Sequence, residues 1–131
     1  DFKDKIDLGK GDDVLNGKGG NDVLKGGKSK DVFEFDTALG AGNVDTIKDF
    51  SPKDDSIHLS AAIFTGLDKG WLSAGAFVVG TAAADADDRI IYNKKTGALS
   101  FDADGSGSGA AIQFAKLSNG LDVSADDFFV F

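Results

Sequence analysis

The sequence predicts an all-β chain: stacked coils of very short strands over residues 1–35, followed by a strand-rich segment over 36–131. Three observations carry this expectation. Aspartate recurs every nine residues, at Asp4, Asp13, Asp22 and Asp31. An apolar residue follows two places after each one, at Ile6, Leu15, Leu24 and Phe33, and glycines fill the intervals. Beyond Phe35 glycine thins, and short apolar stretches bounded by turn residues take over, the pattern of strands joined by loops. A fixed short period of this kind sets the local fold.

Each repeat unit reads as a turn, a carboxylate, and a three-residue strand whose middle side chain points inward. The copies are LGKGDDVLN (8–16), GKGGNDVLK (17–25) and GGKSKDVFE (26–34), preceded by a truncated copy ending at Asp7. A nine-residue unit makes half a coil, so units eighteen residues apart stack directly. Asp13 and the 8–13 turn are expected against the 26–31 turn and Asp31, and Asp4 against the 17–22 turn and Asp22. Lys10, Lys18, Lys25, Lys28 and Lys30 occupy variable positions and belong outside.

Such coils hold themselves together poorly. Glycine loses more freedom on ordering than any other residue, each strand buries a single side chain, and the aspartates stack close enough to repel. Divalent cations bridging carboxylates and turn carbonyls would supply the missing attraction and make binding and folding one event. The two stacking pairs imply two sites. An all-oxygen ligand set rich in carbonyls favours calcium over magnesium or a softer metal.

The later segment is read as strands at Asp45–Lys48, Ser56–Leu59, Phe77–Val79, Arg89–Tyr92, Ala98–Asp102, Ala110–Phe114 and Phe128–Phe131, forming a sandwich-like cap. Helical turns are expected at Ser60–Phe64, near Trp71–Ala74, and at Ser124–Asp127 with Ser124 as cap. The expected core is Phe50, Ile57, Leu59, Phe64, Phe77, Ile91, Leu99, Phe101, Ile112, Phe114 and Leu117, and 80–88 is read as a solvated loop.

Composition narrows the function. A net charge of −8 argues against nucleic acid or an anionic membrane as partner, and no apolar run is long enough to insert into a bilayer. Without cysteine, and with His58 as the one histidine, disulfides and thiolate or imidazole zinc sites are set aside. All 22 acidic residues are aspartate except Glu34, which suits turns and hard-cation ligation better than a mixed solubilising surface. The lack of methionine leads to the expectation that the chain continues a longer, upstream passenger.

The nonapeptide G-G-x-G-x-D-x-U-x, with U a large apolar residue, marks the RTX (repeats-in-toxin, haemolysin-type calcium-binding) proteins, and residues 8–34 resemble it. DVFEF (31–35), DTIKDF (45–50) and DSIHLS (55–60) are similar to the segment that follows the repeats in serralysin-like C-terminal domains, with His58 in place of an aspartate. DDFFVF (126–131) resembles the acidic-then-hydrophobic tip read by type I exporters. The resemblance implies a parallel β-roll with calcium between turns. Its ligands would be turn positions Gly9, Gly11, Asp12, Gly17, Gly20, Asn21, Gly26 and Gly27, with the carboxylates of Asp4, Asp13, Asp22 and Asp31. Asp45 and Asp36 would serve a further site where roll meets cap. It further implies export of the passenger from a Gram-negative cell through a type I ABC exporter, and folding outside, in calcium. Leu8, Lys18 and Ser29 stand where the pattern has glycine, and a positive φ is harder for Lys or Ser, so the 26–31 turn is expected to be less regular and its site weaker.

FDADGSGSG (101–109) is read as a hairpin loop; its glycine comes too early for an EF-hand and the twelfth position is Gln113. Asp55, His58 and Ser60 hold the ingredients of a nucleophilic triad but lie on one strand, which keeps them from converging. The chain is therefore read as a non-enzymatic, calcium-folded secretion module. The alternatives are an extracellular adhesin or carbohydrate-binding module recognising a polysaccharide, or the tail of a secreted protease, lipase or polysaccharide-modifying enzyme.

Overall fold

The Asp-x-apolar triplets become the first strands of two sheets. The computed structural model describes residues 5–105 and 110–131. Strands β1 (Lys5–Asp7), β3 (Val23–Lys25) and β5 (Asp45–Ile47) join one sheet, and β2 (Val14–Leu15), β4 (Val32–Phe35) and β6 (Ser56–Leu59) join the other. The chain thus changes sheet at every turn. Neighbours are parallel and eighteen residues apart in the repeats: Lys5 pairs with Val23, and Val14 with Val32. The middle residues Leu15, Leu24 and Phe33 are buried, whereas Val14 faces solvent.

The next coil is longer. Leu24 pairs with Ile47 and Phe33 with Ile57, because residues 36–44 add a wider excursion between β4 and β5. The remaining strands are β7 (Gly70–Trp71), β8 (Phe77–Val79), β9 (Ile90–Asn93), β10 (Ala98–Phe101), β11 (Ile112–Lys116) and β12 (Phe128–Val130). The seven-stranded sheet runs β1-β3-β5-β11-β10-β9-β8 and the five-stranded sheet β2-β4-β6-β12-β7. Strand β11 lies parallel to β5, and β12 parallel to β6, so pairing continues without a break from residues 1–35 into 36–131. Leu15, Leu24 and Phe33 belong to the same buried cluster as Phe114 and Phe128. Among the described residues the helical elements are two short 3-10 turns, Ala74–Ala76 and Ala125–Asp127, so the chain is all-β. No helix among them is long and apolar enough to cross a membrane.

Several sequence expectations move. Trp71 sits in a strand rather than a helical turn, and the 3-10 turn follows it at Ala74–Ala76. Strand β11 begins two residues later than expected, and Ile112 is 42% exposed instead of core. The register shift between Leu99 and Ser100 against β11 turns Phe114 and Ala115 inward together, which breaks simple alternation. Phe77 is half-buried at the sheet margin. The Ser60–Phe64 turn forms, with the Ser60 carbonyl accepting from Ile63 and Phe64. Ser124 caps its turn reciprocally with Asp127.

Candidate metal centre

Three turns, 8–13, 17–22 and 26–31, lie between the first strands. Each places its second and fourth residues in the left-handed region: Gly9 and Gly11 at φ 84° and 100°, Lys18 and Gly20 at 58° and 118°, Gly27 and Ser29 at 91° and 89°. The 26–31 turn therefore keeps the same two left-handed positions despite Ser29, contrary to the irregularity expected for it. Lys18 tolerates its conformation through two contacts: its amide donates to Asn16 Oδ1 at 2.9 Å and its Nζ to Asp36 Oδ2 at 3.0 Å.

Turns eighteen residues apart meet through the backbone. A β-carbon on Gly27 would overlap the Gly9 carbonyl oxygen, so only glycine allows this approach. Asp12 Oδ1 accepts the Lys30 amide at 2.9 Å, and Asp31 Oδ1 accepts the Asp13 amide at 3.0 Å. The sequence pairing of the 8–13 and 26–31 turns is thus the arrangement present. Asp4 lies outside the described residues.

The aspartates form two ladders. On one side Asp31 Oδ1 takes the Asp13 amide, and Asp55 Oδ1 takes the Asp31 amide at 3.0 Å. On the other, Asp45 Oδ1 takes the Asp22 amide at 3.0 Å. Each carboxylate ties its own coil to the coil before it, and charge-assisted bonds of this kind are stronger than neutral ones. Asp49 reinforces the first ladder by accepting the Gly26 and Gly27 amides at 3.1 and 2.7 Å. Asn21 Oδ1 accepts the Val44 amide at 2.7 Å.

The second carboxylate oxygens are the unusual part. Asp31 is only 1% exposed, and its Oδ2 lies over Gly26, where a β-carbon would overlap it. Asp22 Oδ2 lies over Gly17 in the same way. Asp13 Oδ2 and Asp31 Oδ2 are buried without a hydrogen-bond partner. A buried acceptor left so is costly, and an ionised one more so. Burial, joined by the charges of Asp13, Asp49 and Asp12, raises Asp31 above the ordinary carboxylate range, against the Asp13 amide. Burial pushes Asp45 up to about 6, with the Asp22 charge adding to it. Asp55 is raised by burial too, against amide bonds from Ser51 and Asp31.

Asp36 has a different setting. Its carboxylate accepts from Asn16 Nδ2 at 2.9 Å and from Lys18 Nζ, and these donors hold it below the ordinary range. Among the described residues no three His, Cys, Asp or Glu side chains converge as a metal cluster. A cation between these turns would depend mainly on turn carbonyls, the donor type that calcium accepts readily.

Asp49 and Asp55 escaped the sequence reading as partners of the repeats. A signal existed for Asp55: it precedes the buried Ile57 by two residues, as Asp31 precedes Phe33. Both oxygens of Asp55 are taken, by the Asp31 and Ser51 amides, so it belongs to the ladder. FDADGSGSG connects the antiparallel β10 and β11 as a hairpin, with 106–109 outside the described residues. No protein-family model matches the chain, and no curated protein matches it.

Proposed function

We propose that this chain is a calcium-binding module of the RTX type, a short parallel β-roll of nonapeptide repeats continued by a sandwich-like cap, that folds on calcium binding and supports type I secretion of an upstream passenger. The observation that carries the calcium reading is the pair of buried, unpartnered oxygens, Asp13 Oδ2 and Asp31 Oδ2, in turns stacked eighteen residues apart. Those carboxylates and the carbonyls of the 8–13 and 26–31 turns would hold the ion, with Asp22 and Asp45 on the opposite side. A bound calcium supplies the positive charge that this set of inward-facing oxygens lacks.

The residues themselves do the rest of the work. Left-handed positions turn the chain sharply enough to bring carbonyls of successive coils together. The ladder carboxylates fix the spacing between coils through the amides they accept. The secretion part of the reading rests on the resemblance of DDFFVF (126–131) to exporter-read segments. Phe128 and Val130 are fully buried in β12, so an exporter would read this segment before the chain folds, and calcium outside the cell would then close it.

The test is circular dichroism of chelator-treated protein during a calcium titration, with magnesium in parallel. A saturable gain of β signal is expected, with magnesium substituting poorly. Asp13→Ala and Asp31→Ala should each raise the calcium midpoint about tenfold or more, the effect of losing one charge-assisted contact. A spectrum that calcium leaves unchanged, or midpoints that neither substitution moves, would overturn the reading.

A further inference from the structure

Away from the turns, at the β7 margin of the five-stranded sheet, a cleft of about 410 Å³ is lined by Leu67, Asp68, Trp71, Ser73, Asp87 and Arg89 among others. It holds the chain's single tryptophan and single arginine. Trp71 is 62% exposed, a large apolar surface to leave in water. Its ring is nevertheless fixed: Phe129 packs against it at 5.1 Å and 79°. Arg89 is held by backbone hydrogen bonds, and the buried Asp102 carboxylate feels its charge. Its Nη1 donates to the Ala86 and Asp88 carbonyls, and its Nε is buried with no hydrogen-bond partner beside Gly66, which is itself left-handed at φ 87°.

An aromatic face held in place, two carboxylate acceptors and a pre-oriented guanidinium donor form a complementary set for one ligand chemistry. A pyranose offers an apolar C–H face to the indole and hydroxyls that both donate and accept. Asp68 and Asp87 accept from such hydroxyls; Arg89 and Ser73 donate to them. The cleft's volume falls within the range of about 300–1,000 Å³ typical of small-ligand sites. Charge separates neutral from acidic sugars: two carboxylates face one guanidinium here, on a chain of net charge −8. We propose that the Trp71–Arg89 cleft is a binding site for a neutral pyranose glycan. The residues lining this cleft include none of the ladder aspartates, although Trp71 also borders the cavity beside Asp31 and Asp55.

Trp71 is the chain's one tryptophan and also borders that second cavity, so its fluorescence is read at fixed saturating calcium, where a sugar-dependent change reports the cleft. The full chain, in calcium buffer, is titrated with neutral oligosaccharides (β-1,4-glucose, α-1,4-glucose, β-1,4-mannose and N-acetylglucosamine series) and with oligogalacturonate as the anionic arm. A saturable change is expected with at least one neutral series and none with oligogalacturonate. Asp68→Asn, a substitution at an exposed loop residue, and Arg89→Gln should each weaken that response tenfold or more, with the far-UV spectrum unchanged as the folding control. A flat response across every neutral series up to about 10 mM, well beyond the range of a specific site, would overturn the proposal. So would a response to oligogalacturonate alone, or one that both substitutions leave intact.

Discussion

The repeat coils and the later strands solve the same packing problem with different forces. In the coils β2 and β3 each bury one side chain, Leu15 and Leu24, β4 buries Phe33 and Phe35, and adjacent coils are tied by aspartate carboxylates accepting amides one coil away. In the later region aromatic rings meet edge to face. Phe64 touches both Phe114, at 4.9 Å, and Phe101, at 5.3 Å, and Phe114 also meets Phe35 at 5.3 Å. Apolar burial is indifferent to protons and ions. A ladder of buried carboxylates responds to both. The coil end therefore leans more heavily on solution chemistry, while the later strands, which also bury Asp102 and Asp127, lean more on aromatic packing, and strand pairing joins the two.

The strongest way to break the comparison is in the aromatic cluster. Phe114→Ala should cost about 3–5 kcal/mol in saturating calcium, the usual loss for a buried phenylalanine. Urea denaturation in calcium, followed by Trp71 fluorescence, checks this; a loss below about 1 kcal/mol would place the ladder, not the core, in control. Gly27→Ala acts on the coils. The left-handed φ of 91° alone costs about 1–3 kcal/mol, and the overlap with the Gly9 carbonyl adds to it. Its effect should be seen as a raised calcium midpoint with the urea transition of the aromatic region little changed. Equal shifts in both would mean that the two regions unfold together.

The subtlest test is pH at a calcium concentration just sufficient to fold the chain. The folded pKa of Asp45, about 6, lies above its unfolded value, so its contribution to stability is full below about pH 4 and is lost as pH rises through 6. Asp31 and Asp55 shift in the same direction, whereas Asp36 is lowered and acts oppositely, only at acid pH below the ordinary carboxylate range. Melting temperature should therefore fall between about pH 4 and 6, below the range where His58, lowered by burial, acts in the opposite sense, and Asp45→Asn should flatten that slope. A melting temperature that rises over the interval would contradict the burial assigned to these carboxylates. Saturating calcium should remove the slope by favouring the ionised form.

Much of the first region was legible because its information is local. Residues per half-coil set the stacking offset, so Val14 against Val32 and Asp13 against Asp31 follow from the period alone. Once the excursion at 36–44 lengthens the coil, the period stops counting. Asp55 then meets Asp31 across 24 residues, and Asp49 reaches Gly26 across 23, offsets that no repeat announces. Lys18 showed the opposite failure. Read as a strained substitute for glycine, it keeps the left-handed turn and pairs with Asp36, a residue at the stacking offset but outside the nonapeptide motif.

By itself, then, the order of amino acids determined the turn chemistry, the burial of every second residue in the triplets and the eighteen-residue stacking, since these depend on neighbours a few residues apart. Only the tertiary structure decided that β11 docks beside β5 and β12 beside β6, which residues roof the buried carboxylates, and that Trp71 and Arg89 share a cleft. Those outcomes depend on segments distant in the chain finding complementary edges and faces, and backbone pairing at an edge carries no trace in the side chains that precede it.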